Sequence, residues 1–309
     1  MRIFDGHCDV LWKMWENPDI SFQDLASMHV TYPQLKSRRS SVQVFAIYVP
    51  QKVSREGQFA AALQMVDIFF EKILAFSPGM KLIRNEAELK RLADGETGAI
   101  LSLEGCDCIG NDLSRLRILH QLGVRSVGLT WNFGNAAADG ILEPRGGGLT
   151  SFGEEVVTFL NSKNCWTDVS HLSERGFWDC LEKANNIVAT HSNAKVLCDH
   201  PRNLTDSQIN GLIEKNGRIG VTFVPSFLNS CQASATIRDI LKHLDHVCSL
   251  GGVRHVGFGS DFDGIEDTPA GLSAYREYEN LVNEVLKRYP EEQAVRFFYQ
   301  NFADYFTCV

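Results

Sequence analysis

The chain has 309 residues, 44% of them hydrophobic, with 30 basic against 38 acidic side chains and a net charge of -8. That length and apolar share suit one large α/β domain with a sizeable core, or two smaller ones. The acidic balance argues against nucleic acid and anionic membrane as partners, because both recruit concentrated Lys and Arg, and leaves small-molecule chemistry as the expectation.

From the N-terminus the sequence runs directly into Ile3-Phe4-Asp5-Gly6-His7-Cys8-Asp9-Val10, without the basic region, apolar stretch and small-residue cleavage site of a secretory leader. No transmembrane run and no lipid-anchor tail is visible, so a cytoplasmic protein without membrane contact is expected. Eight short β-rich apolar runs follow in order, at 3–10, 42–49, 98–105, 126–131, 165–171, 187–192, 218–225 and 255–262. The segments between them, such as 58–76, 112–123, 152–164 and 205–217, place apolar residues at i, i+3, i+4 spacing. Asp112 or Asn111 and Thr205-Asp206 read as helix starts, and Gly123, Gly217 and Gly251-Gly252 as helix stops.

Apolar strands alternating with helices describe a parallel sheet covered on its faces. Eight such units predict an α/β fold of the (β/α)₈ TIM-barrel type, in one domain over 1–309 closed by C-terminal helices from about Ser273. A doubly wound open sheet is the alternative. The glycine cluster Arg145-Gly146-Gly147-Gly148 reads as a mobile loop near the barrel mouth. Nine cysteines, without a CxxC pair, read as reduced packing residues.

The ends of these strands carry the chemistry, because in such a barrel all eight C-terminal ends converge on one face. The first run ends in His7 and Asp9, the third in Glu104, the fifth in His171, the sixth in His191 and the eighth in Asp261 and Asp263. A single strand-end histidine is more often a structural residue, but three histidines with several carboxylates form the ligand mix of Zn²⁺ and similar divalent ions. In an extended strand residues i and i+2 project to the same side, so His7 and Asp9 reach one ion while Cys8 points away. Cys106 and Cys108 are weaker candidates as thiolate ligands or nucleophile. Five ligands exceed the need of one catalytic zinc, and a carboxylate bridge makes two ions the natural count.

The segments DGHCDVLW, SVQVFAIYVP, LSLEG, DVSHLSE, THSNAKVLCDHPRNLTDSQI and GFGSDFDGI, spread from residue 5 to 265, resemble the membrane (renal) dipeptidases, peptidase family M19 of the amidohydrolase superfamily. The resemblance implies that His7 and Asp9 hold one zinc, Glu104 bridges, and His171 and His191 hold the second. It makes Asp261 the acid/base residue and Arg202 the holder of a dipeptide's free carboxylate, a pairing that the guanidinium fork suits. Trp12, Trp131, Phe227 and Asp263 are expected around the substrate, although Asp263, directly before Gly264, also suits a purely loop-ordering role. One position departs: where renal-type members carry an oxyanion-stabilising histidine after Leu-Thr, this chain has Trp131, with Asn132 and Asn135 as nearby donors. The resemblance further implies a soluble microbial-type dipeptidase, tolerance of a C-terminal D-residue and a possible homodimer. An amidohydrolase acting on another amide, a lactam or a lactone is the alternative reading, and a non-catalytic metal-binding barrel a weaker one.

Overall fold

The computed structural model describes residues 1–26, 28–38 and 41–308. Its strands are β1 (Phe4–Cys8), β2 (Val42–Tyr48), β3 (Met80–Leu82), β4 (Thr97–Glu104), β5 (Val124–Gly128), β6 (Trp166–Asp168), β7 (Ile187–Ala189), β8 (Arg218–Val221) and β9 (Val256–Phe258). All pair in parallel in the order β2-β1-β9-β8-β7-β6-β5-β4-β3. A continuous seam from Val42↔Gly98 to Tyr48↔Glu104 joins β2 to β4. That seam closes eight strands into a barrel and rules out the open doubly wound sheet.

The ninth strand, β3, is absent from the sequence reading. It bonds the first three residues of β4, on the side that β5 takes over only from Leu101 onward. Three residues are too few to show a period, which is why Met80–Leu82 carries no legible strand signal. Most other strands are shorter than the apolar runs that announce them, because their last residues leave the ladder and become the loops of the mouth.

Every residue of β1 and β4 is buried, as expected for strands covered on both faces. Several surrounding helices start at side-chain caps: Ser173 accepts from the Gly176 N–H, and Thr205 forms a reciprocal capping box with Gln208. Near the mouth, glycine is required where β7, β8 and β9 converge. A Cβ on Gly220 or Gly259 would sit 2.0 or 1.8 Å from the Thr190 carbonyl oxygen, so larger residues there would push the His191 strand end away.

At the other end of the barrel the C-terminal segment forms the plug. Trp166 is surrounded by the rings of Phe4, Phe302, Tyr305 and Phe306, and its indole N–H donates to the Tyr305 carbonyl at 3.2 Å. The run 145–148, expected to be mobile, is instead tied down. Asp139 accepts from the Arg145 guanidinium and from the Gly147 N–H. All nine cysteines are free, seven of them buried. Among the described residues no helix is long and apolar enough to cross a membrane.

Candidate metal centre

Five strand ends deliver the cluster. Asp9 N–H donates to the Phe262 carbonyl at 2.9 Å and Asp261 N–H to the His7 carbonyl at 3.2 Å, lacing the end of β1 to the loop after β9. His7 Nε2 then lies 3.4 Å from Asp9 Oδ2, 3.6 Å from Glu104 Oε2 and 3.8 Å from Asp261 Oδ1. The other oxygen of Glu104, Oε1, is 2.8 Å from His171 Nε2 and 3.6 Å from His191 Nε2. Glu104, the last residue of β4, therefore shows one oxygen to each histidine group. Three overlapping sets of donor atoms result, each within 4.8 Å: His7, Asp9 and Glu104; Glu104, His171 and His191; His7, His191 and Asp261.

The hydrogen bonds behind the cluster explain which atoms face inward. Thr190 Oγ1 donates to Asp168 Oδ2, so it can only accept from the Nδ1–H of His191, at 2.9 Å. Asp168 is held in turn by the Ser170 hydroxyl and by the N–H groups of Ser170 and Thr190. Asn132 Oδ1 lies 2.9 Å from His171 Nδ1 and accepts its proton. Both rings thus turn an Nε2 lone pair inward, 2.8 Å apart and beside a carboxylate oxygen. Among the described residues, buried Asp9 Oδ1 has no hydrogen-bond partner, and buried His7 Nε2 makes no hydrogen bond to the carboxylates that lie 3.4 to 3.8 Å from it. Two inward imidazole lone pairs, an orphaned buried carboxylate oxygen and three carboxylates around one imidazole are costly among themselves and are satisfied by cations, so the donor set fits a metal site.

The charges agree. Burial, with neighbouring His7, His171 and Arg202 adding to it, holds His191 well below the usual imidazole range, whereas for His7 burial is outweighed by the charges of Glu104 and Asp9, which hold the ring well above it. Burial with Arg202 does the same, less strongly, for His171. Burial opposes ionisation of Glu104, but His7 and His171 outweigh it and keep the carboxyl well below its usual range. Asp9 goes the other way, pushed up by burial and by the Glu104 charge.

A cavity of about 490 Å³ opens over the cluster, with Trp12, Tyr48, Trp131, Arg202, Phe227 and Asp261 among its walls. Tyr48 stands between Trp12 and Trp131, with ring centroids 5.8 and 5.3 Å apart, making one wall aromatic. On the same cavity, Arg202 is only 4% exposed, and burial pushes its guanidinium down to about 10. Its Nη2 donates to the His191 carbonyl at 3.4 Å, while Nε and Nη1 have no hydrogen-bond partner among the described residues. The guanidinium carbon sits 5.5 Å over the Phe227 ring.

Asp261 and Asp263 both adopt left-handed backbone, with φ of 62° and 69°. Such strain costs roughly 1–3 kcal/mol per residue and collects at functional sites. Here it turns the two side chains apart. Asp261 keeps 17% of its side chain exposed, on the cavity. Asp263 does not reach the cavity, which corrects its expected place beside the substrate: its carboxylate is fully buried and accepts from the N–H groups of His29 and Val30 and from Lys13 Nζ. It ties the segment around residue 29 to the last barrel loop. Asn135 is similarly spent, on Asp107, the Leu129 carbonyl and the Ala137 N–H. The thiols of Cys106 and Cys108 are buried, and burial pushes the first well above its usual range and the second up to about 12, so neither offers a thiolate.

The description of membrane dipeptidase, peptidase family M19, matches residues 1–303 of this chain. The chain belongs to that family. It is 31% identical to the dipeptidase aclJ of Aspergillus oryzae over 306 residues, covering 92% of this chain and 72% of the relative. A crystal structure of a metallopeptidase from Rhodobacter sphaeroides, liganded with a phosphinate mimic of the dipeptide L-Ala-D-Ala, superposes with a TM-score of 0.90 at 29% identity, over 99% of this chain and 98% of that one. The dipeptidase AC, a metallopeptidase of family M19, gives the same TM-score at 31% identity and the same coverage. An M19 metallo-dipeptidase is a metal-dependent enzyme, in keeping with the cluster at the barrel mouth.

Sequence reasoning missed the residues behind the ligands. Asp168 and Thr190 lie within three positions of a predicted ligand, and Asn132, expected only as an oxyanion donor, is 39 residues from the His171 ring it bonds, so no spacing rule marks these roles. A buried acid inside an apolar strand, as in Trp166-Thr167-Asp168, is the one legible hint.

Proposed function

We propose that this chain is a two-zinc dipeptidase that cleaves the single peptide bond of free dipeptides, including those with a C-terminal D-residue. The observation that carries the reading is the split of Glu104 between His7 on one oxygen and His171 on the other, with an Arg202 guanidinium on the same cavity whose Nε and Nη1 have no hydrogen-bond partner among the described residues. His7, Asp9 and Glu104 would hold one Zn²⁺, and Glu104, His171 and His191 the second. Ions held there would supply activation of water at neutral pH and polarisation of the scissile carbonyl.

The protein's own groups supply the rest. Arg202 takes the substrate's C-terminal carboxylate, since a buried guanidinium with free Nε and Nη1 matches that anion in a fork. Asp261, facing the cavity and 3.8 Å from His7 Nε2, accepts a proton from the attacking water and returns it to the leaving amine. Trp12, Tyr48, Trp131 and Phe227 wall the cavity, excluding bulk water and contacting substrate side chains. The L-Ala-D-Ala mimic bound by the Rhodobacter sphaeroides relative supports both the dipeptide and the D-residue. Hydrolysis of a panel of L,L and L,D dipeptides against N-acyl amino acids and lactones, with and without added Zn²⁺, tests the reading. Turnover confined to acylated or cyclic substrates would overturn it.

A further inference from the structure

The helix Ile237–Ser249 runs behind the loops that follow β7 and β8, and its His243 is completely buried. His243 Nδ1 accepts from the Ala194 N–H at 3.1 Å, and Nε2 is 3.0 Å from the Leu228 carbonyl. A backbone N–H only donates and a carbonyl only accepts, so the ring is neutral, with its proton on Nε2. It makes one bond to each of two loops.

Those two loops carry opposite parts of the carboxylate end of the cavity. Ala194 opens a strap that returns to Leu204 through a bridge between the two residues and through Leu204 N–H to the Asn193 carbonyl. Arg202 lies on this strap. Leu228 ends the single-turn helix Pro225–Leu228, which bears Phe227. The loops also meet directly: Asn203 Nδ2 donates to the carbonyls of Cys198 and Phe227, both at 2.9 Å, and the His200 and Phe227 rings meet at 4.3 Å, tilted by 32°. Among the described residues the Arg202 guanidinium has one long hydrogen bond, to the His191 carbonyl, and one ring contact, with Phe227, so its position follows from the strap and from the Phe227 helix.

We infer that His243 is a positioning residue for the substrate's carboxylate end: by bonding the first residue of the Arg202 strap and the last of the Phe227 helix, it sets the gap in which the guanidinium meets its anion. It does not line the cavity. The inference rests on the reading that Arg202 holds the substrate carboxylate.

The bonds can be removed one at a time. His243→Asn keeps an acceptor near the Nδ1 position for Ala194, His243→Gln keeps a donor near the Nε2 position for Leu228, and His243→Leu keeps neither. Steady-state kinetics on a dipeptide and on its C-terminal amide, normalised to the folded fraction from thermal melts, reads the outcome. For the dipeptide, His243→Leu should raise KM about tenfold or more with kcat within about threefold, with Asn and Gln intermediate, and the amide should change by less than about threefold. Equal losses for dipeptide and amide, or an unchanged KM in all three variants, would overturn the inference. If Leu fails to fold, the Asn and Gln variants decide on the same criterion. Arg202→Ala separates the two levels. If it does not favour the amide over the dipeptide, the carboxylate reading itself fails; if it does and the His243 variants show no KM split, only the role of His243 fails.

Discussion

Glu104 Oε1 and His171 Nε2 meet at 2.8 Å across the gap between the end of β4 and the loop after β6, while the second oxygen of the same carboxylate faces His7. One side chain therefore serves both halves of the cluster. Glu104→Ala should lose both ions rather than one. Elemental analysis of zinc-loaded protein should approach two equivalents for the wild type and fall near zero for the variant. A loaded wild type at or below one equivalent would end the two-ion reading.

The path from Asp168 through Thr190 to His191 makes a separate prediction. Thr190→Val keeps the side-chain shape but removes the oxygen that accepts the His191 Nδ1 proton. Loss of such an outer hydrogen bond typically weakens metal binding about 10- to 100-fold. Competition with a zinc chelator should show that loss, with the thermal transition retained because Asp168 keeps its three donors from Ser170 and the Thr190 backbone. Unchanged metal affinity would mean that ring orientation is set by packing alone.

Trp131 stands against Tyr48 and 6.1 Å from the His171 ring, as part of the aromatic wall. Its contribution is expected to be shape. Trp131→Phe should keep turnover within about tenfold and shift side-chain preference, whereas loss of an oxyanion donor would cost on the order of 10²-fold or more in kcat. A drop of the larger size, with preference and metal content unchanged, would assign the indole N–H the oxyanion role.

His243 also predicts a pH dependence of stability. Burial pushes its imidazole down to about 4 against the weaker opposing pull of the Leu228 carbonyl and Asp239, with His246 and Lys242 adding to the lowering. The unfolded chain, with an ordinary value near about 6.5, then binds the extra proton more readily than the folded one. The resulting stability is fully present above about pH 6.5 and is lost as the pH falls toward 4, by at most about 3 kcal/mol. Denaturant unfolding between these pH values should show a shallower slope in His243→Gln than in wild type. Parallel slopes would show that the ring is not buried neutral.

What the chain determines by itself is the barrel and the polar residues at its mouth. Alternation of apolar runs with helical spacing, and the period-two geometry that places His7 and Asp9 on one side, are local properties, so eight strands and the polar residues at their ends are legible without coordinates. The tertiary structure decides what depends on partners distant in sequence. Asp261 and Asp263 share a motif and a left-handed backbone, yet one faces the cavity and the other is drawn away by the amides of His29 and Val30, more than two hundred residues earlier. Thr190 and His243 show no motif, because their roles come from hydrogen bonds to Asp168, 22 residues away, and to Ala194 and Leu228, 49 and 15 residues away. A hydrogen bond acts over about 3 Å of space whatever the chain distance, so such roles exist only once closure of the barrel brings the loops together.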